Sequence, residues 1–163
     1  ICYENMKIGF GYDSHRFTKS RPLILGGVRI SETNGLDGHS DGDALSHAIT
    51  DAILGAAGSW DIGHYFPSSE PKWKNCDSIV LLKHAVKIVK TLGLEIGNID
   101  ATVVCEGHRI SPHRKAIIES LGGALEAEPG QISIKGKTND KMGWIGSEVG
   151  LAVYVVTLLR PME

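Results

Sequence analysis

The sequence predicts an α/β (α+β) two-layer sandwich, a mixed β-sheet with helices on one face and a partner subunit on the other. Three observations predict it. Strand-like and helix-like apolar runs follow one another as strands first, then α, α, β, α, β, β, the order of a sheet covered by helices. The 163 residues are enough for a single domain, 1–163, with a sizeable core. The last run, Val149-Gly150-Leu151-Ala152-Val153-Tyr154-Val155-Val156, is apolar without alternation, which a strand with one wet face would show. One helical layer covers one side of that strand, so the other needs a second chain.

The elements follow in order. Residues 6–12 read as a first, Gly-rich strand ending in Asp13-Ser14-His15. Residues 22–30 read as a hairpin turning at Gly26-Gly27. A loop then leads to Gly38-His39-Ser40-Asp41-Gly42-Asp43, a polar turn feeding a helix. Ser40 and Asp41 are good N-caps, and Asp43 falls in the first turn. Ala44, Leu45, Ala48, Ile49, Ala52 and Ile53 give that helix an apolar face, and it stops near Gly55 to Gly58. Residues 60–75 form a long irregular segment, a length that compact domains keep for functional or mobile loops. Its aromatics, Trp60, Tyr65, Phe66 and Trp73, read as a local mini-core. A second helix spans 77–91 and ends at Gly93. Residues 99–105 form a β-branched strand. Ser111-Pro112 opens a third helix that stops at Gly122-Gly123. Residues 132–137 and 149–159 are the last strands, with a polar loop between them.

Bulk properties exclude several classes. A net charge of −2 lacks the basic surface a nucleic-acid binder needs. No apolar run approaches the ~20 residues of a membrane span. Cys2, Cys76 and Cys105 are scattered and form no Cys-x-x-Cys pair, which points to reduced thiols in a cytoplasmic compartment. Residues 1–5 precede Met6 and read as an upstream extension.

Asp13 and His15 stand two apart at a strand end, on one side, with Cα atoms roughly 7 Å apart. His47 lies on the opening helix, four residues from both Asp43 and Asp51. Asp13, His15 and His47 together make a mixed N/O ligand set with one open position, the pattern of catalytic rather than structural zinc. Ligand softness admits Mn²⁺ or Co²⁺ in its place. Asp51 is placed to steady His47 from behind, with a plain helix-surface Asp the equal alternative. The competing reading is a turn cap and surface His residues that never meet. His64, His84, His108 and His113 carry weaker signals.

Ile8-Gly9-Phe10-Gly11-Tyr12-Asp13-Ser14-His15, Gly38-His39-Ser40-Asp41-Gly42-Asp43 with His47, Asp61-Ile62-Gly63 and Phe66-Pro67 resemble the 2-C-methyl-D-erythritol 2,4-cyclodiphosphate synthase family over nearly the whole chain. The resemblance implies a homotrimer with active sites between subunits, and zinc on Asp13, His15 and His47. It implies that His39 and Ser40, with Asp61, Ile62 and Gly63 and near Phe66, Pro67 and Ser68, hold the methylerythritol phosphate. It implies a cytidine pocket from Cys105, Glu106, Gly107, His108, Arg109, Ile110 and Ser111 with Lys137, Thr138, Asn139 and Asp140, and a substrate contact at Trp144. Thr138 and His39 take the catalytic positions, and Asp140 the place of an acidic ligand to Mg²⁺ or Mn²⁺ on the substrate diphosphate. Some residues depart from the family pattern. Asp140 stands where Glu is usual, Ser68 where Asp is frequent, and Arg109 where Lys is frequent. Around Ser147 and Val149 the usual Arg and Glu are missing, which implies an apolar threefold channel lined by residues such as Val149 and Leu151.

The implied reaction is intramolecular phosphoryl transfer. A 2-phosphate oxygen attacks the β-phosphorus of a cytidine diphosphate and CMP leaves. A phosphate is already an anionic nucleophile, so positioning and charge neutralisation suffice. That agrees with a chain carrying metal ligands and phosphate-binding turns but no nucleophile motif. Two rivals stand beside it: a zinc-dependent phosphohydrolase with Asp43 or Asp51 as base, and a non-catalytic trimeric metal-binding module.

Overall fold

The computed structural model describes residues 5–162, so Cys2 and all but Asn5 of the expected extension lie outside the described residues. Strand β1 (Lys7–Thr18) runs well past the expected end at Tyr12. It keeps partners that far: it pairs antiparallel with the last strand down to Arg16 opposite Gly150, and then Phe17 and Thr18 pair with a short strand. Asp13 and His15 therefore sit inside a strand rather than at its end. β2 (Leu23–Leu25) and β3 (Val28–Ser31) form the expected hairpin, turning through Gly26 and Gly27 at φ +59° and +74°. Two central residues with positive φ are what a tight hairpin turn demands. β4 (Gly35–Leu36) is the short partner of β1.

Helix α1 (Ala44–Ala56) is capped by Asp43, not by Ser40 or Asp41. All three are good caps by type. Asp43 is the one whose carboxylate accepts from Ser46 N at 3.0 Å, while Asp41 faces the start of another helix. α2 (Ile62–Tyr65) and a 3₁₀ turn (Pro71–Trp73) break up the irregular segment. There Phe66 packs edge-on against Trp73 and His84 and lies against Tyr65, but Trp60 is 68% exposed and stacks only on His64, so the expected mini-core forms without it. α3 (Ser78–Thr91) starts at an Asp77 cap and ends before Gly93 at φ +72°.

β5 (Leu94–Val104) begins before the expected residue 99. A β-bulge at Gly97 shifts its register, so Leu94 and Ile96 before it and Ile99, Ala101 and Val103 after it all face the core. A 3₁₀ turn (Ser111–His113) leads into α4 (Arg114–Leu125), which passes through Gly122-Gly123 instead of stopping there. Glu126, at φ +53°, ends it. β6 (Ile132–Lys137), α5 (Gly143–Gly146) and β7 (Gly150–Pro161) complete the chain.

The main sheet has the order β4-β1-β7-β5-β6, with β5 and β6 parallel and the other pairs antiparallel. Helices cover one face. Leu151, Val153, Val155 and Leu159 of β7 are fully buried beneath them. On the other face Ile8, Phe10, Tyr12, Tyr154 and Val156 are between 42% and 74% exposed. Within one chain, then, β7 is covered on one side only. Leu151 points into the helix-covered core, so it does not line a channel on the open side. Among the described residues no helix is long and apolar enough to cross a membrane.

Helix α1 lies on β1 at Gly9 and Gly11, where a Cβ would come within 2.0 Å of Ala52 O and 1.9 Å of Ala48 O. The neighbour that would have to move is backbone, not a flexible side chain. Gly11→Ala should therefore cost at least the upper end of the ~1–3 kcal/mol typical of overpacking. Urea unfolding measures it, and an unchanged midpoint would show that α1 can ride outward freely.

Candidate functional site

Asp13 and His15 lie on the helix-facing side of β1, in step with Gly9 and Gly11. His47 immediately precedes Ala48, whose carbonyl rests over Gly11. The close helix–strand contact therefore delivers His47 to Asp13. His15 Nε2 lies 2.9 Å and His47 Nδ1 3.1 Å from the same atom, Asp13 Oδ2. One ligand atom from each residue falls within 4.8 Å of the others. Two ligands at 2.0–2.1 Å from a tetrahedral ion lie roughly 3.3 Å apart, so the donor set matches a small divalent cation in both type and spacing.

Each ring also has a partner on its far nitrogen. His15 Nδ1 donates to Asp37 O at 2.5 Å, which leaves Nε2 for the cluster. His47 Nε2 meets Ser40 Oγ at 3.0 Å and Ser78 Oγ at 2.8 Å. Burial alone would raise the Asp13 pKa, but the hydrogen bonds and charges of His15 and His47 outweigh it and hold the carboxyl below its ordinary value. For His15, burial lowers the pKa. The Asp13 hydrogen bond and charge, with the Asp37 carbonyl and charge, overcome it and raise the net value.

Asp51 accepts from Ile62 N at 2.8 Å, so it anchors the loop carrying Ile62 and Gly63 beside the cluster. It borders the cavity, but the hydrogen-bond partners of His47 Nε2 are serines rather than Asp51, contrary to the expectation from helix spacing. Burial, joined by the Asp61 and Asp13 charges against the Ile62 hydrogen bond, raises its pKa. Asp43 does not share the His47 face. It is fully buried and its carboxylate accepts from Gly26 N, Gly27 N, Ser46 N and Ser46 Oγ at 2.7–3.0 Å. It ties the hairpin turn to α1 and is unable to act as a base at the cluster.

A cavity of about 240 Å³ opens beside the cluster, walled by His39, Ser40, Ile62, Gly63, Phe66 and Ser68. Tyr12, Trp73 and Leu81, none of them expected as site residues, also line it. Asp61 sits just behind as the cap of α2, accepting from His64 N at 2.9 Å. Pro67 does not line the cavity.

The second expected group assembles elsewhere. Cys105, Glu106, His108, Arg109, Ile110, Ser111, Lys137 and Thr138 line a separate depression at the ends of β5 and β6. Cys105 N donates to Lys137 O at 2.8 Å and Asn139 N to Glu106 Oε2 at 3.0 Å, which locks the two loops together. Gly107 borders a neighbouring hollow with His108. Asp140 is exposed at φ +50°, its Oδ1 3.5 Å from Thr138 Oγ1. Trp144 lies apart, beside Ser14 and Arg16 on the open side of the sheet. His39 and Thr138 thus stand in different hollows. β7 and β5 separate β1 from β6, so three strand spacings of about 4.8 Å keep the two halves apart within one chain.

Comparison with known proteins is consistent with this geometry. The model of the YgbB family matches residues 6–160. A 2-C-methyl-D-erythritol 2,4-cyclodiphosphate synthase of Synechococcus elongatus is 50% identical over 153 residues, covering 94% of this chain and 96% of that protein. One from Pseudomonas putida is 47% identical over 156 residues, covering 96% and 99%. Among solved structures, the bifunctional IspDF from Campylobacter jejuni superposes with a TM-score of 0.95 at 40% identity, over 98% of this chain and 43% of that one. A CDP complex of IspF from Plasmodium falciparum gives 0.86 at 37% identity, over 99% of both.

The cluster makes cation binding pH-dependent in a definite direction. Asp13 stabilises a proton on His15, and a cation must displace that proton. Affinity for a divalent cation should therefore fall as the pH is lowered from 8 to 6, with the decline starting above the ordinary imidazole value of about 6.5. Competition with a chromophoric chelator reads it; an affinity flat across this range would remove His15 from the ligand set.

Proposed function

The chain belongs to the YgbB family of 2-C-methyl-D-erythritol 2,4-cyclodiphosphate synthases, and from that premise we propose how its residues divide the work. The enzyme converts 4-diphosphocytidyl-2-C-methyl-D-erythritol 2-phosphate to 2-C-methyl-D-erythritol 2,4-cyclodiphosphate and CMP, in the non-mevalonate route to isoprenoid precursors. It is a phosphorus–oxygen lyase. A 2-phosphate oxygen forms a bond to the β-phosphorus, the bond from that phosphorus to the CMP oxygen breaks, and CMP leaves with the electron pair. No proton must be removed from the nucleophile.

The observation that carries the reading is the convergence of Asp13, His15 and His47 beside the cavity. These three would hold Zn²⁺, with Mn²⁺ or Co²⁺ as substitutes. When bound, the cation supplies a Lewis acid that polarises phosphoryl oxygens. Asp140, an exposed carboxylate next to Thr138, would hold Mg²⁺ or Mn²⁺ together with the substrate diphosphate, the manner in which such ions are usually shared with phosphates. His39 and Ser40, with the backbone at Ile62 and Gly63 fixed by Asp51, orient the 2-phosphate. Cys105, Glu106, Arg109 and their neighbours take the cytidine. Thr138 with His39 steadies the charge that develops as CMP leaves. The CDP complexes of structural relatives support the nucleotide half of this assignment.

The separation of His39 from Thr138 and the bare apolar face of the sheet favour a homotrimer with each site built from two chains. Burying Ile8, Phe10, Tyr12, Tyr154 and Val156 would remove a patch that a lone soluble chain rarely leaves open. The phosphohydrolase reading loses its base at Asp43, whose carboxylate is fully engaged.

Incubating the protein with the cytidine diphosphate substrate, Zn²⁺ and Mg²⁺ in ¹⁸O-water should release CMP and a cyclic product without solvent oxygen. Co-expressing His47→Ala and Asp140→Ala, each inactive alone, should restore roughly a quarter of normal turnover, because random assembly leaves that share of sites with both halves intact. A mixture as inactive as its parents would place the whole site within one chain.

A further inference from the structure

The reaction reading leaves one partner of His47 unused. Ser78, the first residue of α3 and fully buried, stands 31 positions away in the chain with its Oγ 2.8 Å from His47 Nε2. Its hydroxyl donates to Asp41 Oδ1, and its backbone N–H donates to Asp41 Oδ2 at 3.0 Å. A hydroxyl has one proton to give and two lone pairs to offer. With its proton committed to Asp41, Ser78 Oγ faces His47 as an acceptor. The nitrogen it faces then carries a ring proton, so Nδ1 is the nitrogen left to offer a lone pair to a cation bound between it and Asp13 Oδ2. That is the form a cation needs.

We propose that Ser78, with Asp41 behind it, is the positioning residue that fixes the tautomer and orientation of His47. The inference rests on the metal reading of Asp13, His15 and His47 above. It also accounts for the second hydroxyl at Nε2. Ser40 Oγ lies 3.0 Å from that nitrogen, but Ser40 borders the cavity and Ser78 does not. A substrate phosphate can draw Ser40 away while Ser78 keeps its hold on the ring. Asp41 joins the start of α1 to this network as well, its Oδ1 accepting from Asp43 N at 3.1 Å. The ligand and the starts of the two helices around it thus form one hydrogen-bonded unit.

Zinc dissociation constants, measured by chelator competition, test the inference on the unaltered protein and on Ser78→Ala, Ser78→Thr and Asp41→Asn. ¹⁵N spectroscopy of the zinc-loaded protein follows the Nε2 proton of His47, and melting of the metal-free protein reports the fold. Ser78→Ala should weaken zinc about tenfold, the low end for a lost partner of a metal-bound His, because Ser40 remains in reach. Its ring proton should also exchange faster. Ser78→Thr keeps the hydroxyl and should restore both. Asp41→Asn keeps the shape and should weaken zinc severalfold, which reads the same network should the threonine variant not fold. Zinc affinity and ring-proton exchange unchanged in both Ser78→Ala and Asp41→Asn would overturn the inference while leaving the ligand set standing. No zinc uptake by the unaltered protein would overturn both.

Discussion

Helix α1 lies on β1 with only glycine hydrogens between backbone and backbone, and the candidate metal centre depends on that contact. Side chains on a strand alternate, so Gly9, Gly11, Asp13 and His15 share the face turned to the helix. Two of the four are glycines because the carbonyls of Ala52 and Ala48 occupy the space a Cβ would take. The other two carry ligand atoms because the helix has ended its approach there and a cavity begins. His47 is one residue from Ala48, so its reach to Asp13 follows from how closely Ala48 sits on Gly11. A methyl inserted between the two elements would move His47 off Asp13 before it touched any ligand directly.

Holding polar groups at this depth demands that each find a partner, since an unpaired buried charge costs several kcal/mol. Asp43 meets the demand with four donors drawn from the β2–β3 turn and the first turn of α1. Asp41 does so with Ser78 and the backbone of Asp43. Asp51 takes Ile62 N. Three acidic residues within eleven positions thus do three different jobs, and Asp41 and Asp43 are spent on the starts of the two helices. This distribution suits a reaction whose nucleophile is already ionised. The sheet's uncovered face is the counterpart of the same economy: the helical layer supplies the metal half of the proposed site, while the proposed nucleotide half opens three strands away.

The ligand triad was legible in the sequence because it rests on local periodicity. Two-residue alternation places Asp13 with His15, and the apolar stripe of α1 fixes which way His47 turns. The hairpin at Gly26-Gly27 and the end of α3 at Gly93 were legible for the same reason, as positive φ needs glycine there. What escaped depends on distant partners. Ser40, Asp41 and Asp43 are equally good caps by type, and only the position of the hairpin amides and of Ser78 sorts them. Ser78 itself carries no sequence signal, being one serine beside a helix cap. Gly122-Gly123 looked like a stop, since each glycine costs a helix about 1 kcal/mol relative to alanine. Burial of Ala124 and Leu125 beyond them carries α4 onward. Asp51 was placed near His47 by helix spacing, yet a backbone amide eleven residues on holds it instead.

X-ray absorption at the zinc edge of the loaded protein tests the account most directly, because it counts and identifies the atoms that α1 and β1 bring together. The account predicts a shell of nitrogen and oxygen at about 2.0–2.1 Å, two of its members with imidazole scattering and none of them sulfur. A sulfur neighbour at about 2.3 Å, or a single imidazole, would contradict it.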